Sequence, residues 1–292
     1  MAQPQAQAAP TRSRPDRCPG IVHPWPADDG GLVRIRVPGG QVSAVALRAL
    51  AAVAEEYGDG RVRVTGRANL QLRAMPLDAG GRLAVPALEA LEATGLLPSR
   101  DHDRVRNILA SPQTGLAGGR ADLRPLVTRL DALLLDDPAL AGLPGRFLFT
   151  LDDGRGDLAD RHRDLGLVAL DAGTAQLRVG TGYGAVLDLR DAAESLAGLA
   201  RDFLAARGTG PRAAWHVDEL PAPLAPVVAA EPAGVVRAPG LGYGPVPGGE
   251  HVPVGDDGLD LPTIAGWSAT TVVVTPWHGV LIPKTVSPEE GS

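Results

Sequence analysis

Cysteine is nearly absent: Cys18 is the one thiol in 292 residues. A disulfide within the chain is therefore excluded, and so is any iron–sulfur or all-cysteine metal site built from this chain alone. Aromatic residues are scarce too, 3% against a hydrophobic content of 44%, so the core must be made of Ala, Val and Leu rather than rings. Lysine is rarer still; of 28 Lys and Arg residues only Lys284 is a lysine. No run of about eighteen apolar residues occurs, and the opening MAQPQAQAAPTRSRPDR has Arg and Pro where a signal peptide needs an apolar stretch. A globular, cytoplasmic protein without a membrane span is expected. A basic excess is missing as well: the net charge of −6 argues against a nucleic-acid partner. Arginines that carry function must therefore act locally.

What is present is strongly patterned and heavily punctuated by Gly and Pro. Residues 1–25 read as a disordered leader. LVRIRV (Leu32 to Val37) alternates apolar and charged side chains like a half-buried strand, and Pro38-Gly39-Gly40 ends it. Ser43 suits a helix N-cap; Leu47, Leu50, Ala54 and Tyr57 recur at helical spacing, and Gly58 is placed for a left-handed cap. RVRVT (Arg61 to Thr65) and NLQLR (Asn69 to Arg73) alternate again, and Pro86 opens a helix running to Gly95. This β-α-β-β-α order is much of a ferredoxin-like unit, assigned to 26–100.

Residues 101–220 predict one α+β domain: a helix near Asp122 to Leu135, strands at Arg146 to Leu151, Leu165 to Leu170 and Ala175 to Val179, and a helix from Asp191 to Arg207 closed by Gly208. Residues 221–292 read as linker and loops before two strands, TVVVT and GVLIP. RVRVTGRANLQL and TVVVTPWHGVLI share strand, Thr, turn, strand, with Thr65 matching Thr275 and Arg67 matching Trp277. The second copy lacks a long amphipathic helix and is read as a shortened half.

Several clusters invite chemistry and have plain alternatives. Gly180-Thr-Gly182-Tyr-Gly184 follows a strand, but AVLDL comes next where a dinucleotide-binding helix should begin, so a hairpin is the better reading. The six histidines show no metal-binding spacing. Cys18 reads as a small buried residue rather than a reactive thiol. Arg61, Arg63, Arg67 and Arg73 are solvated strand charges unless a ligand gathers them. Trp277 either stacks on a ligand or plugs the core.

Three motifs in order decide between these readings. TGRANLQLR is similar to the T-x-R-x-N-x-Q-L segment of the nitrite/sulfite reductase superfamily, VRNILASP to its R-N-V motif, and LPGRFLF to its L-P-x-K-F segment. DRCPGIVHPW, RIRVPGG, LPGRFLFTLDDGRGD and TPWHGVLIP resemble in particular the precorrin-3B synthase family, from about Arg17 to Pro283. The resemblance implies an α+β fold in which ferredoxin-like half-domains flank a central nitrite/sulfite-reductase-type α+β domain. It also implies cobalamin biosynthesis and oxidoreductase chemistry on a tetrapyrrole, with a [4Fe–4S] cluster and siroheme or a tetrapyrrole substrate; heme binding belongs to the same expectation.

By the same resemblance Arg67, Asn69, Arg106, Asn107, Arg146 and Arg155 take tetrapyrrole-binding positions. Arginine suits that task because its planar fork grips carboxylates in pairs and stays charged. The sequence departs from the family at Leu148, where the second lysine of K-x-K would stand, and it shows none of the family's four cluster cysteines, as though truncated before them. No cofactor is expected to be held by this chain alone, no metal ligands are assigned, and the catalytic residues stay unassigned. The resemblance leaves three alternatives open: an enzyme served by a separate iron–sulfur protein or electron donor, a redox-inactive tetrapyrrole-binding subunit, and a siroheme reductase of nitrite or sulfite.

Overall fold

The structure, a computed structural model, describes Thr11 and residues 16–284. The first half-domain runs β1 (Trp25–Ala27), β2 (Gly30–Ile35), β3 (Gln41–Ser43), α1 (Ala44–Tyr57), β4 (Arg63–Val64), β5 (Leu70–Met75) and α2 (Val85–Ala93). Its sheet has the antiparallel order β1-β2-β5-β4. Alternation in β2 works as the sequence implies: Val33 and Ile35 are buried in the core while Arg34 lies on the opposite face. Ser43 caps α1 by accepting the Ala46 amide at 3.1 Å, and Leu47, Leu50 and Ala54 face inward.

Two expectations fail locally. Gly58 is not left-handed, with φ −123°; it is needed instead because a Cβ there would stand 2.7 Å from the Arg73 carbonyl. Residues 16–25 are not a loose leader. The Asp16 carboxylate accepts the Cys18 and Gly145 amides, Asp103 accepts the Val22 amide, Ile21 is buried, and Trp25 begins β1. The remainder of the expected leader, Thr11 apart, lies outside the described residues.

The central domain comprises β6 (Ile108–Ala110), α3 (Arg124–Asp136), β7 (Phe149–Asp152), β8 (Leu165–Ala169), β9 (Thr174–Val179), β10 (Gly182–Asp188) and α4 (Ala192–Ala206). Its sheet is ordered β10-β9-β8-β7-β6, parallel from β6 to β8 and antiparallel beyond. Helices α3 and α4 bury Leu130, Leu134, Leu196 and Phe203 in a core separate from that of the half-domains, where Phe147 packs on Phe149 and Phe203. GTGYG is the hairpin between β9 and β10, as expected.

The second half-domain holds β11 (Gly244–Val246), β12 (Gly249–Pro253), α5 (Leu261–Ala265), β13 (Thr271–Thr275) and β14 (Gly279–Pro283). The PVPGG segment, expected as loop, forms the β11–β12 hairpin. The resulting order β11-β12-β14-β13 repeats the first sheet strand for strand. Each half completes the other: β3 pairs with β13, and Leu259, just before α5, exchanges two 2.8 Å backbone bonds with Val62, just before β4. One core spans both, from Val33 and Leu72 to Val272, Val280 and Ile264. The flanking halves are thus a single interlocked unit beside the central domain, in a mixed α/β architecture.

Candidate anion-binding site

The turn between β4 and β5 is a compact device for presenting one side chain. Thr65 and Asn69 exchange backbone and hydroxyl bonds of 2.9 and 3.2 Å, and Ala68 adopts φ 54°, a conformation that residues with a side chain rarely take. Arg67 projects from this turn and donates to the Arg146 carbonyl at 3.1 Å, so two of the expected residues are brought together. Arg34 on β2 joins them, donating to Gln71 at 3.2 Å, with its Nε unbonded and buried. Behind them Arg36 is buried and held only by the carbonyls of Pro19, Arg104 and Gly145 at 3.2–3.4 Å, its Nη1 unbonded.

Among the described residues none of Arg34, Arg36, Arg67 and Arg146 has a carboxylate partner, while most other arginines here are ion-paired. Burial lowers the basicity of Arg34 and Arg67 and brings Arg36 down to about 10, with neighbouring guanidinium charges adding to the effect. All remain charged at neutral pH. Cys18 sits among them, half-buried, its thiol pushed up first by burial and then by Asp16, which favours the unreactive thiol.

The other expected residues have different tasks. Arg106 is buried in a two-pronged pair with Asp131 of α3 at 2.6 and 2.7 Å, which satisfies the guanidinium face it would have offered a ligand. Asn69 and Asn107 are buried and bonded to each other at 3.1 Å. Asn69 also accepts the Val37 amide, and Asn107 donates to the carbonyls of Arg104 and Gly145. They stitch the first half-domain to the central domain. Arg155 pairs with Asp153 at 2.7 and 2.8 Å and bonds Gln113 and Ala117, locking the loop after β7. In that loop Asp152 accepts three backbone amides, and Asp157 accepts the Ser111 hydroxyl at 2.7 Å while burial raises it to about 7. Leu148 is buried in the shared core. Arg34 and Arg36 escaped sequence reasoning; the signal was two arginines two residues apart on one face of a strand.

The second half-domain supplies a matching turn. His278 has φ 54°, as Ala68 does, and Trp277 occupies the place of Arg67. Trp277 packs against the core with the Arg161 guanidinium 5.7 Å from its ring, so it plugs rather than presents. Arg161 bonds the carbonyls of Gly66 and Pro276 at 3.4 and 3.1 Å, one from each turn, and so staples the pair. Its neighbour His162 is exposed and stacks on His216 with ring centroids 4.4 Å apart. Beneath them lies Asp164, 1% exposed, its Oδ2 accepting the Leu148 amide and its Oδ1 without a hydrogen bond, 3.7 Å from His216 Nε2.

A four-thiolate cluster does not fit this chain, which offers one cysteine, and among the described residues no group of three or more His, Cys, Asp or Glu is arranged to hold a metal. A polycarboxylate does fit the unpaired guanidinium groups. No helix among the described residues is long and apolar enough to cross a membrane.

Residues 26–79 match the nitrite/sulfite reductase ferredoxin-like half domain. Over 124 residues the chain is 34% identical to ferredoxin–nitrite reductase of Leptolyngbya laminosa, covering 40% of this chain and 23% of that protein. It is 36% identical over 135 residues to the Synechococcus elongatus enzyme of the same name, covering 42% and 25%. Precorrin-3B synthase of Sinorhizobium sp is equally similar, 34% identical over 116 residues, covering 39% and 23%. The chain thus spans about a quarter of the length of these curated relatives. In three dimensions it superposes on Mycobacterium tuberculosis NirA with a TM-score of 0.67 and 19% identity, over 92% of this chain and 60% of that one, a likeness of fold.

Proposed function

We propose that this chain binds a carboxylate-bearing tetrapyrrole on the surface formed by Arg34, Arg67 and Arg146, and that it is a precorrin-3B-synthase-like protein of cobalamin biosynthesis, working in the cytoplasm. One observation carries the reading: in an acidic chain, charged groups of like sign are gathered at one place without carboxylate partners. Gathering cations costs stability unless an anion completes the arrangement. A macrocycle rimmed with carboxylates would meet several of these forks at once, each pairing in bidentate fashion. Asn69, Asn107 and Arg106 then serve from behind, fixing the half-domain against the central domain so that Arg67 and Arg146 keep their spacing.

The redox part of such chemistry belongs to an iron–sulfur or electron-donating partner, since this chain supplies no cluster thiolates. A redox-inactive subunit that captures and hands over the tetrapyrrole is the second reading, favoured by the single cysteine. Burial of Leu148 where a second cation would stand weighs against a nitrite or sulfite reductase.

The test is fluorescence titration with uroporphyrin, an eight-carboxylate macrocycle. Arg67→Ala combined with Arg146→Ala is expected to weaken binding on the order of 100-fold, as the loss of two charge-assisted contacts predicts. Equal affinity of variant and wild type sinks the reading. Monooxygenase turnover of precorrin-3A on adding an iron–sulfur donor separates the enzyme from the carrier.

A further inference from the structure

We infer that His162 is a proton-accepting member of the anion site: it is neutral in the empty protein and takes up a proton when a polycarboxylate settles on Arg67 and Arg146. The inference rests on the binding reading above and adds a chemical event to it. Three geometric observations carry it. His162 is exposed at the rim and makes no hydrogen bond among the described residues, so both ring nitrogens are available. It stacks on His216, whose own protonation is fixed by its partners: the Asp218 amide donates to Nδ1 at 3.1 Å, and Nε2 donates to the Arg163 carbonyl at 2.7 Å. An imidazole that accepts at one nitrogen and donates at the other is held as one neutral tautomer. Of the stacked pair, His162 alone can change charge without losing a bond.

The surroundings set the direction. The groups that face His162 are His216, Arg67, Arg146 and Asp218, with Asp164 below His216. Burial first, then His216 and the two arginines, hold the His162 pKa below its ordinary value; only Asp218 opposes them. A carboxylate-bearing ligand reverses the balance by neutralising the arginines and adding negative charge beside the ring. The proton then comes from solvent, and the imidazolium becomes one more cation facing the ligand. By linkage, a group that gains a proton on binding makes affinity rise as pH falls. Asp164 is the rival acceptor: burial raises its carboxyl to about 6, and His216 and Arg67 act against the rise. It is sealed from the ligand and its charge has the wrong sign to attract a carboxylate.

Calorimetric titration of uroporphyrin at pH 7 in buffers of different ionisation enthalpy measures the proton count directly. We expect net uptake of a substantial fraction of one proton by the wild type, and affinity roughly 3–10-fold tighter at pH 6 than at pH 8. His162→Gln should still bind through the arginines, with uptake near zero and a flat pH profile. Asp164→Asn should retain the uptake. Binding without uptake in the wild type overturns the inference and leaves the binding reading standing. Uptake that survives in His162→Gln and disappears in Asp164→Asn assigns the proton to Asp164 and overturns it equally. Absence of binding in the wild type removes both.

Discussion

The two half-domains share a strand order and a turn geometry and differ in what they place on that turn. In the first, Ala68 bends the chain and Arg67 reaches out beside Arg146; in the second, His278 bends it identically and Trp277 turns inward. The helices differ too, fourteen residues in α1 against five in α5. The lesson is that one backbone solution can carry opposite duties. The first half tolerates unpaired charge because a seam of buried amides and carbonyls holds it to the central domain; the second is closed by apolar packing and by His251, buried and bonded to Thr275 at 2.9 Å and to the Gly242 carbonyl.

Breaking the seam is expected to have the largest effect. Asn107→Ala removes the bonds to Asn69, Arg104 and Gly145 and strands three buried polar groups. A loss of about 3–4 kcal/mol should follow, read as a fall in the urea midpoint. A loss under about 1 kcal/mol would mean that the seam does not hold the halves to the centre. The corresponding change in the second half, Thr275→Val, keeps the shape and orphans one His251 nitrogen, so about 1–2 kcal/mol is expected in the same assay.

A third comparison uses pH. Asp157 has its folded value raised to about 7, above its unfolded value, so the stability it contributes is present at low pH and is lost as pH rises through about 7. Asp157→Asn should therefore flatten the decline between pH 5 and pH 8 by about 1–2 kcal/mol, measured by denaturant melts at both. An identical pH slope in the two proteins would show that Asp157 is ionised throughout.

The smallest effect has the opposite sign. Arg34→Met removes an unpaired, half-buried charge from a cluster of like charges and should stabilise the fold by about 0.5–1 kcal/mol at low salt, while weakening uroporphyrin binding. Destabilisation would show Arg34 to be a structural residue.

Alternation and capping made the long elements legible: β2, β5, α1, α3 and α4 lie within a few residues of where side-chain period and Ser43, Pro86 or Gly208 put them. Short elements were not legible. The Ile108–Ala110 strand is three apolar residues with no period to read, and the β11–β12 hairpin contains Pro245 and Pro253, which signal loop locally but are tolerated toward a sheet edge. For the site, sequence motifs located Arg67 and Arg146, yet gave no means of knowing that Arg106 would find Asp131 on a helix 25 residues on, or that Arg155 would close on Asp153. Whether an arginine is spent or available depends on where carboxylates arrive in space.

The exchange of segments between the halves also bears on how the protein is made. β3 is synthesised early, but its partner β13 begins at Thr271, 230 residues after Gln41, and at ordinary rates of synthesis the wait is on the order of ten to fifty seconds. Throughout that interval the nascent first half carries an open hydrogen-bonding edge beside an apolar face that only the last-made strands can cover. The ribosome-bound chain is therefore a natural client for holding chaperones, and its folding yield in the cell depends on how fast the ribosome reaches residue 283.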